Sequence, residues 1–326
     1  MYRGAIFILN YLFIAACFSS YNKAAAHSTN DPGPRKVSVS IYTVASDSLS
    51  CIIPFNKVGN LIVVQAQVDT TRGNFILDTG APSLVLNITY FRDYPITTAH
   101  DEEQTSVAGR SAGTSKTSVG ELTFGTMHLP RLDAHLTNLG NIENAKGIKV
   151  LGLLGLDLFK QCEMIIDFEK NLIYLHRIGK KESSVYRHEM LADTSLYRTY
   201  PIEITNGRMA TTTEVAGKKL KLVIDCAAEA NIIDSRLPDK IFETIAITRR
   251  IKVTGPGDKK VDALYGNLAS MKIGNQQIND LPVMILNLEY TCFSDDICVN
   301  GVLGFDFLSK HKIGFNFVKR KMYIWK

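Results

Sequence analysis

The sequence lacks the residue patterns that usually bind metals. It contains no CxxC pair and no His-rich tract, and its seven histidines show no ligand spacing. It also lacks a long basic run, because 37 Lys and Arg stand against 32 Asp and Glu and are scattered or in short clusters. We therefore expect no metal, no other cofactor and no nucleic-acid partner.

The apolar run near the start is too short for a transmembrane helix. It extends from Ala5 to Ala16, follows Arg3, and has the length of a secretory signal. Ile14-Ala15-Ala16-Cys17 resembles the lipobox of bacterial lipoproteins, in which the cysteine carries the lipid. The alternative is ordinary cleavage after Ala24-Ala25-Ala26. We expect a signal at 1–17 and an exported bacterial protein, either periplasmic or membrane-anchored through Cys17, with secretion as the alternative.

Cysteine is scarce, with six residues in the chain. Export permits disulfides, and without Cys17 an odd number remains, so at least one thiol stays free. Cys292 and Cys298 bracket the polar segment FSDDI and are the expected disulfide. The state of Cys51, Cys162 and Cys226 is left open by the sequence.

The chain repeats itself once. LLGLDLFKQCEMIIDFEKNLIYLHR, from Leu153, matches VLGFDFLSKHKIGFNFVKRKMYIWK, from Val302, and FILDTGAPSLVLN at 75–87 matches LVIDCAAEANIID at 222–234. The offsets are 149 and 147 residues, which indicates a duplicated unit of roughly 130 residues, an ordinary domain size. With 45% hydrophobic residues, each unit can build a core. The predicted boundaries are a flexible tether at 18–40, a first lobe at 41–178, a connector at 179–195 and a second lobe at 196–326.

Both units have the pattern of an all-β fold. NLIVVQAQVDTTRGNFILD and LYRTYPIEITNGRMATTTEVAGKKLKLVID contain apolar stretches of strand length separated by polar turns. Helical signals are brief. We expect a turn or two of helix after Gly155 and after Gly304, and one short helix within 237–245.

Asp78-Thr79-Gly80, set between Phe75-Ile76-Leu77 and Ala81, is followed downstream by Leu153-Leu154-Gly155 and Asp157. This combination resembles the aspartic proteases, in particular the retropepsin-like branch. The resemblance implies two similar β-barrel lobes in a pepsin-like bilobal architecture. It also implies catalytic residues Asp78 and Asp225, loop support from Thr79, Gly80, Cys226 and Ala227, and close packing of Gly155 and Gly304 beneath the loops.

The chemistry implied by the resemblance needs two adjacent carboxylates. Such a pair keeps one proton between its members, because both cannot ionise cheaply. The ionised member would activate water and the protonated member would bind the peptide carbonyl. The implied partner is a peptide or unfolded protein bound to a monomer. Hairpins carrying Gly109 and Gly113, and Gly255 and Gly257, are predicted either as flaps over the substrate or as plain surface hairpins.

The second motif departs from the family pattern. It reads Asp225-Cys226-Ala227, and a thiol is a weaker hydrogen-bonding group than a hydroxyl, so we expect a looser contact between the lobes. Ala227 would be strained by about 1 kcal/mol if its backbone required positive φ. Two functions follow from this departure. The chain is predicted to be an aspartic-type endopeptidase, and the alternative is an impaired pseudoprotease that binds peptides or proteins.

Overall fold

The structure is a computed structural model that describes residues 49–106, 109–205, 207–254, 260–289 and 299–326. The strands of the first half are β1 (Ser50–Val58), β2 (Leu61–Val68), β3 (Thr71–Asp78), β4 (Leu84–Asn87), β5 (Ile96–Ser106), β6 (Gly109–Phe124), β7 (Met127–Thr137), β8 (Gly152–Gly155), β9 (Cys162–Asp167) and β10 (Leu172–Arg177). The strands of the second half are β11 (Tyr197–Pro201), β12 (Glu203–Thr205), β13 (Arg208–Val215), β14 (Lys218–Ile224), β15 (Ile232–Asp234), β16 (Ile245–Thr254), β17 (Lys260–Ile273), β18 (Gln276–Leu286), β19 (Gly301–Leu303), β20 (Ile313–Asn316) and β21 (Lys321–Trp325).

Helices are short, as expected. They are α1 (Gly140–Lys146), α2 (Asp239–Phe242) and α3 (Phe305–Leu308), with 3-10 turns at Leu156–Phe159 and Glu189–Leu191. The turns after Gly155 and Gly304 and the helix within 237–245 agree with the sequence prediction. The prediction missed α1. None of the helices in the described ranges is long and apolar enough to cross a membrane.

Each half closes its strands into a ring. In the first half the order is β2-β3-β8-β4-β7-β6, and β6 pairs back with β2 through Val68 and Leu122. In the second half the order is β13-β14-β19-β15-β18-β17, and β17 returns to β13 through Glu214 and Lys272. The two orders correspond strand by strand. The predicted all-β fold with two similar lobes is therefore confirmed.

A shared sheet joins the lobes. β20 of the second half pairs antiparallel with β9 of the first, with Gly314 opposite Ile165, so β11, β21 and β20 extend the sheet of β9, β10 and β1. All six residues of β9 and all four of β20 are buried. Each large apolar side chain buried in this way contributes about 1.5–3 kcal/mol to the hydrophobic stabilisation. The shared sheet therefore fixes the two lobes against each other.

Several predicted features lie outside the described residues. These are the signal and lipidation site at Cys17, the tether, Gly255, Gly257, Cys292 and Cys298. The three cysteines left open by the sequence, Cys51, Cys162 and Cys226, are buried free thiols.

Candidate active site

The two aspartates end equivalent strands and form equivalent turns. Asp78 is the last residue of β3, which lies parallel to β8, and Asp225 directly follows β14, which lies parallel to β19. Asp78 Oδ1 accepts hydrogen bonds from the amides of residues 80 and 81, at 2.8 and 2.9 Å. Asp225 Oδ1 accepts them from the amides of residues 227 and 228, at 2.8 and 3.2 Å. Each carboxylate thus holds its own turn, as short acidic side chains commonly do.

Two glycines allow the supporting strand to pass close beneath each loop. A Cβ atom on Gly155 would lie 2.1 Å from the carbonyl oxygen of Ser83, and one on Gly304 would lie 2.4 Å from the carbonyl oxygen of Ala230. Both distances are far below normal contact. A side chain at either position would push its loop away.

Thr79 and Cys226 hold the loops together across the lobe boundary. Thr79 Oγ1 donates to the carbonyl oxygen of Ile224 at 3.0 Å, and Cys226 Sγ donates to that of Leu77 at 3.2 Å. In return, the Cys226 amide donates to Thr79 Oγ1 at 3.0 Å and the Thr79 amide donates to Cys226 Sγ at 3.4 Å. All four reciprocal contacts are made. The expected loosening by the thiol is therefore not visible in the geometry.

Ala227 is accommodated without backbone strain. It is not among the residues with positive φ, and its amide still reaches Asp225. It belongs to a buried apolar cluster that also contains Leu61 and Ile76 of the first lobe. Space is tighter at the equivalent position of the first loop, since a Cβ on Gly80 would lie 2.3 Å from Asp225 Oδ2. The loops are therefore not interchangeable, because the first requires glycine where the second tolerates alanine.

The carboxyl group of Asp225 lies against Gly80 of the first loop, and the two carboxyl groups are close enough for each to shift the pKa of the other. Asp78 is 2% exposed and Asp225 is fully buried. No donor of the described residues reaches Asp225 Oδ2, so a proton held on Asp78 would satisfy this oxygen. Burial raises the pKa of both groups, and the charge of Asp225 raises the pKa of Asp78 further. The geometry therefore favours a singly protonated pair.

An arginine that sequence reasoning missed lies close enough to influence the pair. Arg208, at the start of β13, is 2% exposed, and burial lowers its pKa to about 10, so it remains charged at neutral pH. Its positive charge lowers the pKa of Asp225, opposing the larger effect of burial. The matching residue of the first lobe is Leu61, 147 positions earlier. The duplication therefore gave no signal for a charge at this position.

The flap predictions fall on two hairpins. β5 and β6 form the first, with Ser106 opposite Gly109 and with Gly113 farther along β6. β16 and β17 form the second. Residues 107–108 and 255–259 at the two tips are outside the described region. The hairpins are present, and their role over a substrate stays a prediction.

Within the described ranges, no group of three or more His, Cys, Asp or Glu side chains could hold a metal ion. The buried ionisable groups at the meeting point of the loops are the carboxyl pair and Arg208.

The comparison with protein families agrees with this architecture. A family model described as aspartyl protease matches residues 64–158 and 211–307. Among solved structures, basic 7S globulin from soybean is similar at 8% identity and a TM-score of 0.46, over 85% of this chain and 94% of that one. No curated protein matches the sequence. The two stretches matched by the family model contain Asp78 and Asp225, one each.

Proposed function

The chain belongs to the aspartyl protease family, and on that premise we propose that it is an endopeptidase whose Asp78 and Asp225 activate water against a peptide bond. The observation that carries the proposal is the buried pair of carboxyl groups, each held by two amides of its own loop. A pair of this kind supplies a base and an acid at one point, without a covalent nucleophile.

In the proposed reaction, the ionised carboxylate takes a proton from water while the water oxygen attacks the peptide carbonyl carbon. The protonated carboxyl donates a hydrogen bond to the carbonyl oxygen, which gains negative charge. The tetrahedral intermediate then breaks its carbon–nitrogen bond, and the nitrogen leaves with a proton from the pair. One carboxyl group is again protonated at the end of the cycle, so the pair is regenerated.

Two features support catalysis over the alternative of a pseudoprotease. The contacts between Thr79 and Cys226 are complete despite the thiol. Ala227 lies in an ordinary backbone conformation and leaves the amide that holds Asp225 in place. The altered second motif therefore retains the hydrogen bonds that position its carboxylate.

The proposal extends to the substrate and the location of the protein. An extended, unfolded polypeptide would lie between the lobes, because the pair is located where the loops of the two lobes meet. We propose that the protein works as a monomer outside the cytoplasm. The signal predicted at 1–17 supports export, and Cys17 is the proposed lipid attachment site, with ordinary secretion as the alternative.

The test is cleavage of an unfolded protein by purified wild type, Asp78→Asn and Asp225→Asn, across the acidic and neutral pH range. The proposal predicts that the wild type cleaves and that each single variant loses cleavage. Asp157→Asn is a matched control, since this carboxylate is exposed and pairs with Lys160, and it should remain active. Cleavage that survives Asp78→Asn, or a wild type that never cleaves, overturns the proposal.

A further inference from the structure

Each lobe contacts the other through the tip of a hairpin. The β1–β2 tip, with Gly59 and Asn60, lies against Glu229 of the second lobe. The β12–β13 tip, with Gly207, lies against Pro82 of the first, since a Cβ on Gly207 would be 2.4 Å from Pro82 Cβ. Pro82 and Glu229 each lie four residues after their aspartate. We call each contact between a hairpin tip and the opposite loop a joint. The two joints are equivalent in the duplication, but the one at Pro82 is apolar and the one at Glu229 is charged.

The charged joint contains a buried ion pair between the lobes. Lys146, the last residue of α1 in the first lobe, donates to Glu229 Oε2 at 2.6 Å. The side chains are 10% and 3% exposed. Glu229 belongs to the loop that carries Asp225, so this pair connects the second catalytic loop directly to the first lobe.

The surroundings restrict the position of the pair. Asn60 Nδ2 donates to the carbonyl oxygen of Glu229 at 2.9 Å and lies 3.4 Å from Asp306 Oδ1. A Cβ on Gly59 would be 3.1 Å from Lys146 Nζ, so the tip approaches the ammonium closely. Lys146 pairs with Glu229, and burial raises the pKa of Glu229 and of Asp306, whose pKa is lowered in part by the charge of Lys310. The joint is ordered by charge and hydrogen bonds from three separate segments.

Stability alone does not account for this arrangement. A buried ion pair contributes little more than well-packed apolar side chains of similar size, because desolvation offsets the attraction. The joint at Pro82 and Gly207 is built without charge. The ion pair instead restricts the relative position and orientation of the two side chains, because a short charged hydrogen bond has a narrower geometry than an apolar contact.

We propose that Lys146 and Glu229 are a positioning pair that sets the second catalytic loop against the first lobe, and thereby the approach of Asp225 to Asp78. This inference rests on the proposed peptidase function. Neither residue touches the reacting atoms. A displacement of about 1 Å in the catalytic geometry is enough to lower turnover on the order of 100-fold, so a small shift of the loop would be seen in kcat.

The test compares Lys146→Met, Glu229→Gln and the double variant with wild type. Each single change should lower kcat by about tenfold or more, with KM nearly unchanged, because the carboxyl pair is disturbed while the cleft remains. The double variant should be no worse than the poorer single variant, since both remove the same interaction. Glu203→Gln breaks the exposed pair with Lys221 and should leave kcat unchanged.

Lys146→Gln replaces Lys146→Met if the latter does not fold. With an active wild type, unchanged kcat in both single variants overturns the inference, as does strict additivity in the double variant. If the wild type does not cleave, the proposed function fails. The positioning role of Lys146 and Glu229 is then tested by amide hydrogen exchange at Cys226 and Ala227. Faster exchange in Glu229→Gln than in Glu203→Gln supports the positioning role, and equal exchange overturns it.

Discussion

Adding one methyl group at Gly80 should disable the site without unfolding the protein. A Cβ at this position would lie 2.3 Å from Asp225 Oδ2 and 2.5 Å from its Cγ, whereas ordinary contact begins at 3.4 Å. The carboxyl group must therefore move by roughly 1 Å, which lowers turnover on the order of 100-fold. That loss corresponds to about 2.7 kcal/mol of transition-state stabilisation. Gly80 does not have positive φ, so the backbone itself is not strained by alanine.

The assay is kcat/KM of Gly80→Ala on a fluorogenic peptide, measured together with thermal unfolding. Ala227→Gly is the matched control in the other lobe. Because the methyl group of Ala227 already packs among apolar side chains, its removal should leave kcat/KM nearly unchanged. The more flexible unfolded chain should lower the free energy of unfolding by about 0.4–1 kcal/mol.

Wild-type kcat/KM in folded Gly80→Ala would refute this reasoning, because it would mean that the carboxyl group of Asp225 does not have to lie where the structure has it. Equal losses in Gly80→Ala and Ala227→Gly would contradict the asymmetry between the two loops.

Three further predictions concern the second lobe. Cys226→Thr should keep the four contacts between the loops and raise the unfolding temperature without changing kcat/KM. If activity arises only in this variant, or only in its combination with Ala227→Gly, the natural chain is a pseudoprotease. Arg208→Met removes a charge that lowers the pKa of Asp225, so the acidic limb of the kcat/KM profile should move to higher pH; an unmoved limb contradicts this effect. Burial raises the pKa of Asp225 from 3.8 to about 6, so the stabilisation from its protonated form is complete below pH 3.8 and is lost as pH rises through about 6. Asp225→Asn should therefore melt above wild type at pH 7 and close to it at pH 3.5, and equal melting temperatures at both pH values would contradict the raised pKa.

The fold and the two aspartates were accessible from sequence because their signals are local or repeated. The two aspartate turns, the strands that precede them and the glycines beneath them recur at offsets of 147 and 149 residues. The short helix α1 was missed for a physical reason. It has seven residues and no side chain that caps its first turn, so the usual signal for a helix start is absent.

The contacts between lobes could not be predicted in the same way. Lys146 and Glu229 are 83 residues apart and Asn60 and Glu229 are 169 apart, and no local pattern reports such distances. The duplication is also misleading here, since the first-lobe residues that correspond to Arg208 and Glu229 are Leu61 and Pro82, which carry no charge. Likewise, the weak donor strength of the Cys226 thiol predicts a looser contact between the loops, because it does not report how closely the two backbones approach.

Carbon-13 NMR titration of the carboxyl carbons can show whether Asp78 and Asp225 share one proton, with Asp78→Asn and Asp225→Asn used to assign the signals. The structure predicts two well-separated titration steps that belong to the pair, with one step far above the ordinary aspartate pKa of about 3.9. Two independent titrations near that ordinary value would contradict the account.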